Sequence, residues 1–229
     1  MAFAEQKAAY VLHSRPYRDT SLLVDFLTLE HGKVSAVVKG ARRPNSRLRS
    51  SIQPFVPLQI TWRGRHELKS LLTAEPVAPS LLLQGNALLC GLYVNELLER
   101  LMLPFDSHPQ LYVFYQYVLN ELKSADDIEG GLRTFEHRLL AELGFLPDLS
   151  RFDPEQIYCL ESDQGFVPCF VVSEAEKKVC FYGRQLMAIA EDDYNDPQVK
   201  RAAKRLMRLL IDRSLGHKPL RSRELFQKM

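Results

Sequence analysis

The sequence predicts an α+β chain: a small antiparallel β-barrel, then an α-helical domain with a small C-terminal β-hairpin and helix module. Three observations lead to this prediction. Five strand-like segments fall within the first 80 residues, apolar residues take helical spacing after Pro79, and strand-like sequence returns within residues 150–182. We therefore expect two domains, residues 1–80 and residues 81–229, with the hairpin region inserted in the second.

Five short segments rich in aliphatic and aromatic residues are predicted to be the strands of the barrel. They lie at residues 10–12, 21–29, 33–38, 55–62 and 68–74. His31-Gly32 predicts a turn between the second and third strands, and Arg63-Gly64-Arg65 predicts a tight hairpin before the fifth. Because no helical pattern interrupts them, the segments favour a small closed barrel such as an OB-fold.

Apolar residues recur at intervals of three and four in the segments that follow. Predicted helices cover residues 82–102, 109–123, 132–143 and 197–215, and a predicted hairpin covers residues 157–160 and 166–172. Pro104 ends the first helix, and Gly144 and Gly216 cap the third and the last. The chain therefore reads as a barrel followed by a mainly helical region.

Composition indicates an ordinary globular protein. The 229 residues are 46% apolar and 25% charged, so the chain can bury a core without disulfides or metals. No stretch of 18 apolar residues predicts a membrane span. The first 15 residues lack the basic start and apolar run of a signal peptide, so we expect a cytoplasmic protein.

The sequence shows no motif of an active site or of a metal centre. Its four cysteines contain no C-x-x-C pair and its six histidines are scattered, whereas structural zinc sites present closely spaced ligand pairs. Phosphate-binding glycine loops and the nucleophile elbow are also absent from the sequence. We therefore expect no metal, no other cofactor and no catalytic residue.

Charge is segregated along the chain although the formal net charge is only +2. Residues 33–69 carry nine basic residues and one acid, and residues 198–229 carry ten basic residues and two acids. Residues 70–197 carry 21 acids against eight basic residues. Two basic segments around an acidic middle indicate two surfaces with different partners, unless both are merely solvated faces.

The first basic segment contains a candidate DNA-binding loop. Residues 39–50 combine five basic residues with Gly, Pro, Asn and Ser and no acid, which predicts a flexible loop rather than a helix. Mobile Lys and Arg side chains on a barrel can follow a phosphate backbone, so we favour nucleic-acid binding over a solvated charge run. With three residues near the next hairpin, the candidates are Lys39, Arg42, Arg43, Arg47, Arg49, Arg63, Arg65 and Lys69. Trp62 and Phe55 offer a stacking surface, although a single Trp in a strand more often lies in the core or at its rim.

Two later helices suit an acidic partner. In the third helix, Arg133 accompanies Phe135, Leu139 and Leu143, a combination that suits a peptide with acidic groups and an aromatic anchor, or else a core. The last helix carries basic residues on one broad face. They are Lys200, Arg201, Lys204, Arg205 and Arg208. Such a face could bind nucleic acid, a membrane surface or an acidic peptide, or it could simply be exposed to solvent.

Two functions from other classes remain open at this point. The carboxylates Glu191, Asp192 and Asp193 would serve a metal-dependent nuclease, although a polar loop before the last helix explains them more simply. The basic patches would also serve a protein-interaction adaptor that binds acidic proteins. Metal-dependent cleavage of labelled DNA would identify the nuclease, and direct DNA titration would distinguish a DNA-binding protein from the adaptor.

Several collinear strings resemble the RecO family of bacterial recombination mediators. They are VLHSRP at residues 11–16, TSL at 20–22, KGAR at 39–42, QPF at 53–55, GLYVNELL at 91–98, FEHRLLAELG at 135–144, RAAKR at 201–205 and KPLRSREL at 218–225. Together they cover nearly the whole chain in the family's order.

The resemblance implies a function without catalysis. It implies an N-terminal OB-fold, binding of single- and double-stranded DNA, and annealing of complementary strands. It also implies recruitment by the acidic, Phe-terminated tail of the single-stranded DNA-binding protein (SSB), and partnership with RecR in loading RecA on coated strands. No catalytic residue is needed, because duplex formation is favourable once repulsion between the strands and the coating protein are overcome.

The resemblance also implies sites. The family's basic barrel surface matches Lys39, Arg42, Arg43, Arg47 and Arg49. The register of FEHRLLAELG makes Arg133, Leu139 and Leu143 candidates for the tail pocket, with Lys204 or Arg205 facing the acidic part of the tail. Many family members carry zinc-type cysteine pairs after the third helix. The spacing of Cys159, Cys169 and Cys180 instead resembles the zinc-less branch.

Overall fold

The structure, a computed structural model, describes residues 5–149, 151–161, 164–170, 179–216 and 218–226, and the backbone alone of Arg47. The chain forms two compact units. The first unit runs to Ala125 and takes in the C-terminal segment from Leu220, and the second spans residues 126–219. The first unit therefore extends beyond the barrel and includes helices that follow residue 80.

Five strands close into a barrel in the first unit. They are β1 (Lys7–Tyr17), β2 (Ser21–Thr28), β3 (Gly32–Val38), β4 (Leu58–Arg63) and β5 (Lys69–Pro76). The strand order is β1-β2-β3-β5-β4, and β4 pairs with β1 to complete the barrel. All neighbours are antiparallel except β3 and β5, which pair in parallel. This arrangement confirms the predicted α+β fold with an N-terminal OB-type barrel.

Alternating side chains build the core of the barrel. Along β3, every second residue from Gly32 to Val38 is buried, which is the period expected of a strand with one covered face. Phe26, Val34, Val38 and Ile60 are each fully buried. The first strand is longer than the predicted residues 10–12, because a register shift after Val11 lets β1 bend and stay paired with β2 up to Tyr17.

A short helix occupies part of the predicted basic loop. Residues 39–46 are turns as expected, but α1 (Arg47–Ser51) is helical, so the prediction of a loop through residue 50 was wrong in its last part. The helix contacts β5 and ends at Ile52, whose side chain is buried in the barrel core. Burial of this apolar residue after the polar stretch explains why the segment does not remain extended.

Two helices, α2 (Gly85–Leu101) and α3 (Pro109–Ser124), complete the main body of the first unit. Asn95 on α2 is buried and donates from its side-chain nitrogen to the carbonyl oxygens of Leu12 at 3.1 Å and Val11 at 3.3 Å. The Tyr115 hydroxyl donates to the Asn95 side-chain oxygen at 2.7 Å. Asn95 therefore joins both helices to β1 where that strand changes register.

A glycine on α2 allows a close approach to the barrel. A Cβ atom at Gly91 would lie 2.8 Å from the Phe55 ring, which is itself buried. Phe55 has a φ of 64°, an uncommon left-handed conformation for an aromatic residue. The QPF segment at residues 53–55 and the GLYVNELL segment at residues 91–98 are therefore in contact, with the Phe55 ring packed against Gly91.

The C-terminal helix α7 (Arg221–Phe226) packs on α2 in the first unit. The Glu96 carboxylate accepts hydrogen bonds from the backbone N–H groups of Arg221 and Ser222, both at 2.8 Å, and from the Ser222 hydroxyl at 2.6 Å. A carboxylate suits these groups because the first N–H groups of a helix have no partner within the helix. The segments around Glu96 and Arg221, more than 120 residues apart in sequence, are therefore adjacent in this unit.

The second unit consists of helices around a small sheet. Its elements are α4 (Ile128–Glu142), β6 (Ile157–Glu161), β7 (Gly165–Cys169), β8 (Cys180–Tyr182), α5 (Gly183–Ala190) and α6 (Pro197–Leu215). The predicted hairpin is present as β6 and β7, and residues 171–172 of that prediction lie outside the described residues. A disulfide joins Cys159 on β6 to Cys180 on β8, a pairing that the sequence analysis did not predict.

Helix α4 starts earlier than predicted. The expected start was residue 132, but the helix begins at Ile128, where the Asp127 carboxylate accepts a hydrogen bond from the Gly130 N–H at 2.9 Å. Lys200 of α6 forms an ion pair with the same carboxylate at 2.7 Å. The aspartate cap offsets the two glycines in the first turn, whose low helix propensity favours a later start. No helix in the described part of the chain is both long and apolar enough to cross a membrane.

Candidate nucleic-acid interface

Exposed basic side chains surround the turn that follows β3. Lys39, Arg42, Arg43 and Arg49 are all exposed, while the side chain of Arg47 lies outside the described atoms. The structure therefore brings four of the five predicted loop cations to the surface of one end of the barrel. Such cations meet the requirement for phosphate contacts, which depend on accessible charge rather than on a shaped pocket.

Arg42 joins this turn to the turn between β1 and β2. Its backbone N–H donates to the Thr20 carbonyl at 2.9 Å, and its guanidinium donates to the carbonyls of Asp19 at 3.2 Å and Arg18 at 3.3 Å. The contact places Arg18 beside the predicted cations, a residue that sequence reasoning missed. Strand β2 pairs antiparallel with both β1 and β3, so the turn before β2 and the turn after β3 lie at the same end of the barrel. That pairing was the signal from which their proximity could have been predicted.

A second basic group lies along the side of β3. Arg63 and Arg65 are exposed at the turn between β4 and β5, and the Lys69 ammonium donates to the Gly64 carbonyl at 3.2 Å. Lys69 lies opposite Ala36 in the parallel ladder. This register puts the group beside the middle of β3 rather than at its end, so the predicted DNA-binding residues form two groups on the barrel.

The proposed aromatic stacking surface is present only in part. Phe55 is buried against Gly91, so the expectation that it offers a stacking surface was wrong. Trp62 is half-buried: part of it packs on the barrel core, and part lines a surface cavity together with His31, whose ring lies edge-on at 5.5 Å. Trp62 is therefore the candidate stacking residue that stays accessible.

In the second unit, the candidates for the tail pocket lie at different depths. Arg133 is 7% exposed and makes two 3.0 Å contacts with the two carboxylate oxygens of Glu136, which is 1% exposed. Leu139 is fully buried, and Leu143 is half-buried where α4 ends. Arg133 and Leu139 thus belong to the core, which was the alternative to a peptide site at this helix. Leu143 is partly accessible.

The two basic candidates on α6 also differ. Lys204 is exposed and forms an ion pair with Glu129 at 3.1 Å. Arg205 is half-buried, lies 4.5 Å from the Phe181 ring centre and donates to the Cys180 carbonyl at 2.8 Å. Burial lowers the pKa of the Arg205 guanidinium. Arg205 therefore supports the small sheet, whereas Lys204 presents its charge to solvent.

An apolar groove with Arg213 and Glu161 at its edge opens directly after α4. It encloses about 580 Å³ and is lined mainly by Phe145, Leu146, Pro147, Leu160, Leu210 and Arg213. Phe145 is 43% exposed, so part of its ring is accessible at the groove. Arg213 is exposed and donates to the Leu160 and Glu161 carbonyls at 3.3 and 3.4 Å. The sequence analysis missed this groove, although Phe145 follows the predicted cap Gly144 immediately.

The acidic residues before α6 serve an internal ion-pair network. The Asp192 carboxylate contacts the His137 imidazole at 2.8 Å, the Arg138 guanidinium at 2.6 Å and the Tyr194 hydroxyl at 3.1 Å. Asp193 accepts hydrogen bonds from the backbone and side chain of Asn195. Because Asp192 already faces two basic side chains, this arrangement is a poor ligand set for the Mg²⁺ of the nuclease alternative.

This network predicts a pH dependence of stability. Burial disfavours the charged form of Asp192, but the hydrogen bond from His137 and the charges of His137 and Arg138 outweigh it and lower the pKa of the carboxyl below its ordinary 3.8. A carboxyl with a lowered folded-state pKa stabilises the fold fully above its unfolded pKa and loses that contribution as pH falls through the folded value.

We therefore expect Asp192→Asn to lower the free energy of unfolding at pH 7. We also expect the free energy of unfolding of the variant to fall less steeply than that of the wild type as the pH drops below about 4. Urea titrations of both proteins from pH 7 to pH 2.5 measure this difference. Asp193→Asn is the matched control, because Asp193 is exposed and contacts Asn195 instead of a cation. Parallel pH profiles for wild type and Asp192→Asn would contradict the expectation.

Comparisons with known proteins cover both units. The family model "Recombination protein O N terminal" matches residues 1–80, and "Recombination protein O C terminal" matches residues 82–224. The chain is 41% identical to the DNA repair protein RecO of Actinobacillus succinogenes, over 99% of this chain and 97% of that one. It is 42% identical to the protein of the same name from Coxiella burnetii, with 95% of each chain covered. The Haemophilus influenzae protein is 41% identical over 97% of this chain and 96% of its own.

Proposed function

The chain belongs to the RecO family of recombination and DNA repair proteins, and we propose that it acts in DNA repair as a non-enzymatic mediator that binds and anneals DNA strands. The observation that carries this proposal is the set of exposed cations at one end of the OB-type barrel. The proposed site of action is the nucleoid, in the cytoplasm.

Annealing follows from phosphate contacts without base readout. Two complementary strands repel each other through their phosphates, and Lys and Arg side chains reduce that repulsion while leaving the base edges free to pair. Lys39, Arg43 and Arg49 present such charges on a scaffold that Arg42 holds together. Pairing itself then releases the free energy, so the protein needs no nucleotide and no catalytic group.

The second unit is proposed to bind the acidic, Phe-terminated tail of SSB. The groove after α4 offers Phe145, Leu160 and Leu210 as apolar walls for the terminal phenylalanine, and Arg213 at its edge for a carboxylate. Leu143 directly precedes the groove, and Lys204 adds an exposed charge on α6. In this proposal Arg133 and Leu139 lie in the interior of α4 and support the helix that precedes the groove.

Recruitment by the tail gives the protein its place in repair. A strand coated by SSB displays many tails, so the second unit concentrates the barrel on coated DNA. Together with RecR, the protein is then proposed to help load RecA on the coated strand. An adaptor that binds only proteins differs from this proposal in one direct measurement, because it gives no signal when titrated with labelled DNA.

The tail proposal predicts the effect of changing one groove residue. Phe145→Ser removes an apolar wall without disturbing the buried residues of α4, and it is expected to weaken binding of an acidic Phe-terminated peptide about tenfold or more. Isothermal titration calorimetry measures the peptide affinity of the variant and of the wild type.

The matched control for this prediction is Leu103→Ser in the first unit, where Leu103 is 67% exposed and lies outside the groove. It is expected to keep wild-type peptide affinity. Equal affinity of Phe145→Ser and wild type would place the tail elsewhere, with Leu143 and Lys204 as the next residues to change. Unchanged DNA binding by Phe145→Ser would show that the barrel remains intact.

A further inference from the structure

A second concave feature of the barrel lies apart from the turn after β3. It encloses about 410 Å³ and is lined by Glu5, Lys7, His31, Trp62, Lys69 and Phe105. The volume lies within the range of about 300–1,000 Å³ that is common for ligand sites. Two aromatic rings, Trp62 from β4 and Phe105 from the connection between α2 and α3, supply its apolar surface.

The backbone holds Phe105 at this cavity in an uncommon conformation. Phe105 has a φ of 58°, which is costly for a bulky side chain and is kept only where the surroundings enforce it. Its N–H donates to the Lys33 carbonyl at 2.9 Å, and Pro104 forms an isolated bridge with Lys33. A Cβ atom at Gly32 would lie 1.7 Å from the Asp106 carbonyl oxygen, so β3 has a glycine where this segment crosses it.

Cations and carboxylates nearly balance around the cavity. The Lys7 ammonium lies between the carboxylates of Glu30 at 2.5 Å and Glu5 at 2.7 Å. The Lys69 ammonium lies 4.6 Å from the centre of the Phe105 ring, in the geometry of a cation–π contact. A phosphate gains little from such a balanced site, whereas a nucleobase gains from the rings and finds both hydrogen-bond donors and acceptors at the rim.

We propose that this cavity binds one unpaired base of single-stranded DNA, which stacks against Trp62 and Phe105. The inference rests on the proposed function, and it adds the form of DNA that the barrel prefers. A base inside a duplex is stacked and paired and does not reach the cavity, so this site favours single strands. The acidic SSB tail is a poorer occupant, because Glu5 and Glu30 already pair with Lys7 and leave little net positive charge to attract its carboxylates.

Trp62 is the only tryptophan of the chain, so its fluorescence reports on this cavity alone. Titration of the wild-type protein with an oligothymidylate is expected to change Trp62 fluorescence along the same isotherm as the anisotropy of a labelled strand. An oligomer of abasic sites with equal length and charge is expected to bind about tenfold more weakly and to leave the fluorescence unchanged, since stacking contributes about 1–3 kcal/mol per base.

The outcomes separate this inference from the proposed function. Anisotropy that reports binding while Trp62 fluorescence stays constant overturns the base site and leaves the DNA-binding barrel in place. Absence of binding in both signals overturns the proposed function itself. A fluorescence change that an acidic Phe-terminated peptide produces, and that single-stranded DNA does not, overturns the base site in favour of a peptide site.

A variant tests the second ring of the cavity. Phe105→Ala is expected to weaken binding of single-stranded DNA about tenfold and to leave the affinity for duplex DNA within twofold of wild type. Tyr117→Ala, which removes a partly exposed aromatic residue of α3 outside the cavity, is the matched control and is expected to change neither affinity. Equal losses for single strands and duplexes with Phe105→Ala contradict a base-specific site.

Discussion

Replacement of Lys39, Arg43 and Arg49 together by glutamine is expected to weaken binding of single-stranded DNA about 100-fold at 0.1 M salt. Each cation that neutralises a phosphate of a single strand contributes about 0.7 to the slope of log affinity against log salt concentration. Three lost contacts therefore lower the slope by about 2, which corresponds to about two decades of affinity at 0.1 M salt. Arg42 is left unchanged because it holds two turns together through the carbonyls of Arg18 and Asp19.

Fluorescence anisotropy of a labelled oligonucleotide, titrated at several salt concentrations, measures both the affinity and the slope. The matched control removes three exposed basic residues from α6 in the second unit: Arg201→Gln, Lys204→Gln and Arg208→Gln. This control is expected to change binding of bare DNA by less than threefold. The opposite result, a loss in the control and none in the barrel variant, would move the DNA surface to α6.

The second large effect concerns the stability of the first unit. Asn95→Leu is expected to lower its free energy of unfolding by about 3 kcal/mol or more, since an unsatisfied buried polar group costs about 1–3 kcal/mol. The substitution leaves the carbonyls of Val11 and Leu12 and the Tyr115 hydroxyl without the side chain that satisfies them. Leucine keeps the branched skeleton of asparagine and is bulkier, so the loss does not arise from a cavity.

Urea denaturation followed by circular dichroism measures this effect, with Asn120→Leu, an exposed position on α3, as the control. Tyr115→Phe provides a double-mutant cycle. Its cost is expected to be smaller in the Asn95→Leu background than in wild type, because the Tyr115 hydroxyl has then already lost its acceptor. A loss below about 0.5 kcal/mol for Asn95→Leu would mean that water satisfies these groups without the asparagine.

Local patterns were sufficient to predict most elements. Strands β3 and β5 follow the turn signals at His31-Gly32 and Arg63-Gly64-Arg65. Helix α6 has a proline at its start and a glycine after its end. These elements were therefore found within a few residues. The start of α4 was missed because Gly130 and Gly131 lower helix propensity, and the Asp127 cap that offsets them acts together with Lys200 of α6.

The candidate sites were harder to predict because exposure depends on tertiary contacts. Helical spacing placed Arg133 beside apolar residues, but spacing does not show whether a charge faces solvent or pairs inside with Glu136. Cys159 and Cys180 meet only through the pairing of β6 with β8, which the sequence did not specify. By contrast, the cations at residues 39–43 were predicted correctly as exposed, because a turn rich in Gly and Pro lies at the surface of a barrel.

The most direct test of the central claim is annealing of two complementary labelled oligonucleotides coated with SSB, measured without nucleotide. SSB with an intact tail and SSB with the tail removed provide the two arms. The account predicts that the protein accelerates annealing of strands coated with intact SSB, and that removal of the tail abolishes this acceleration while annealing of bare strands stays accelerated. Absence of acceleration on bare and coated strands alike would contradict the account.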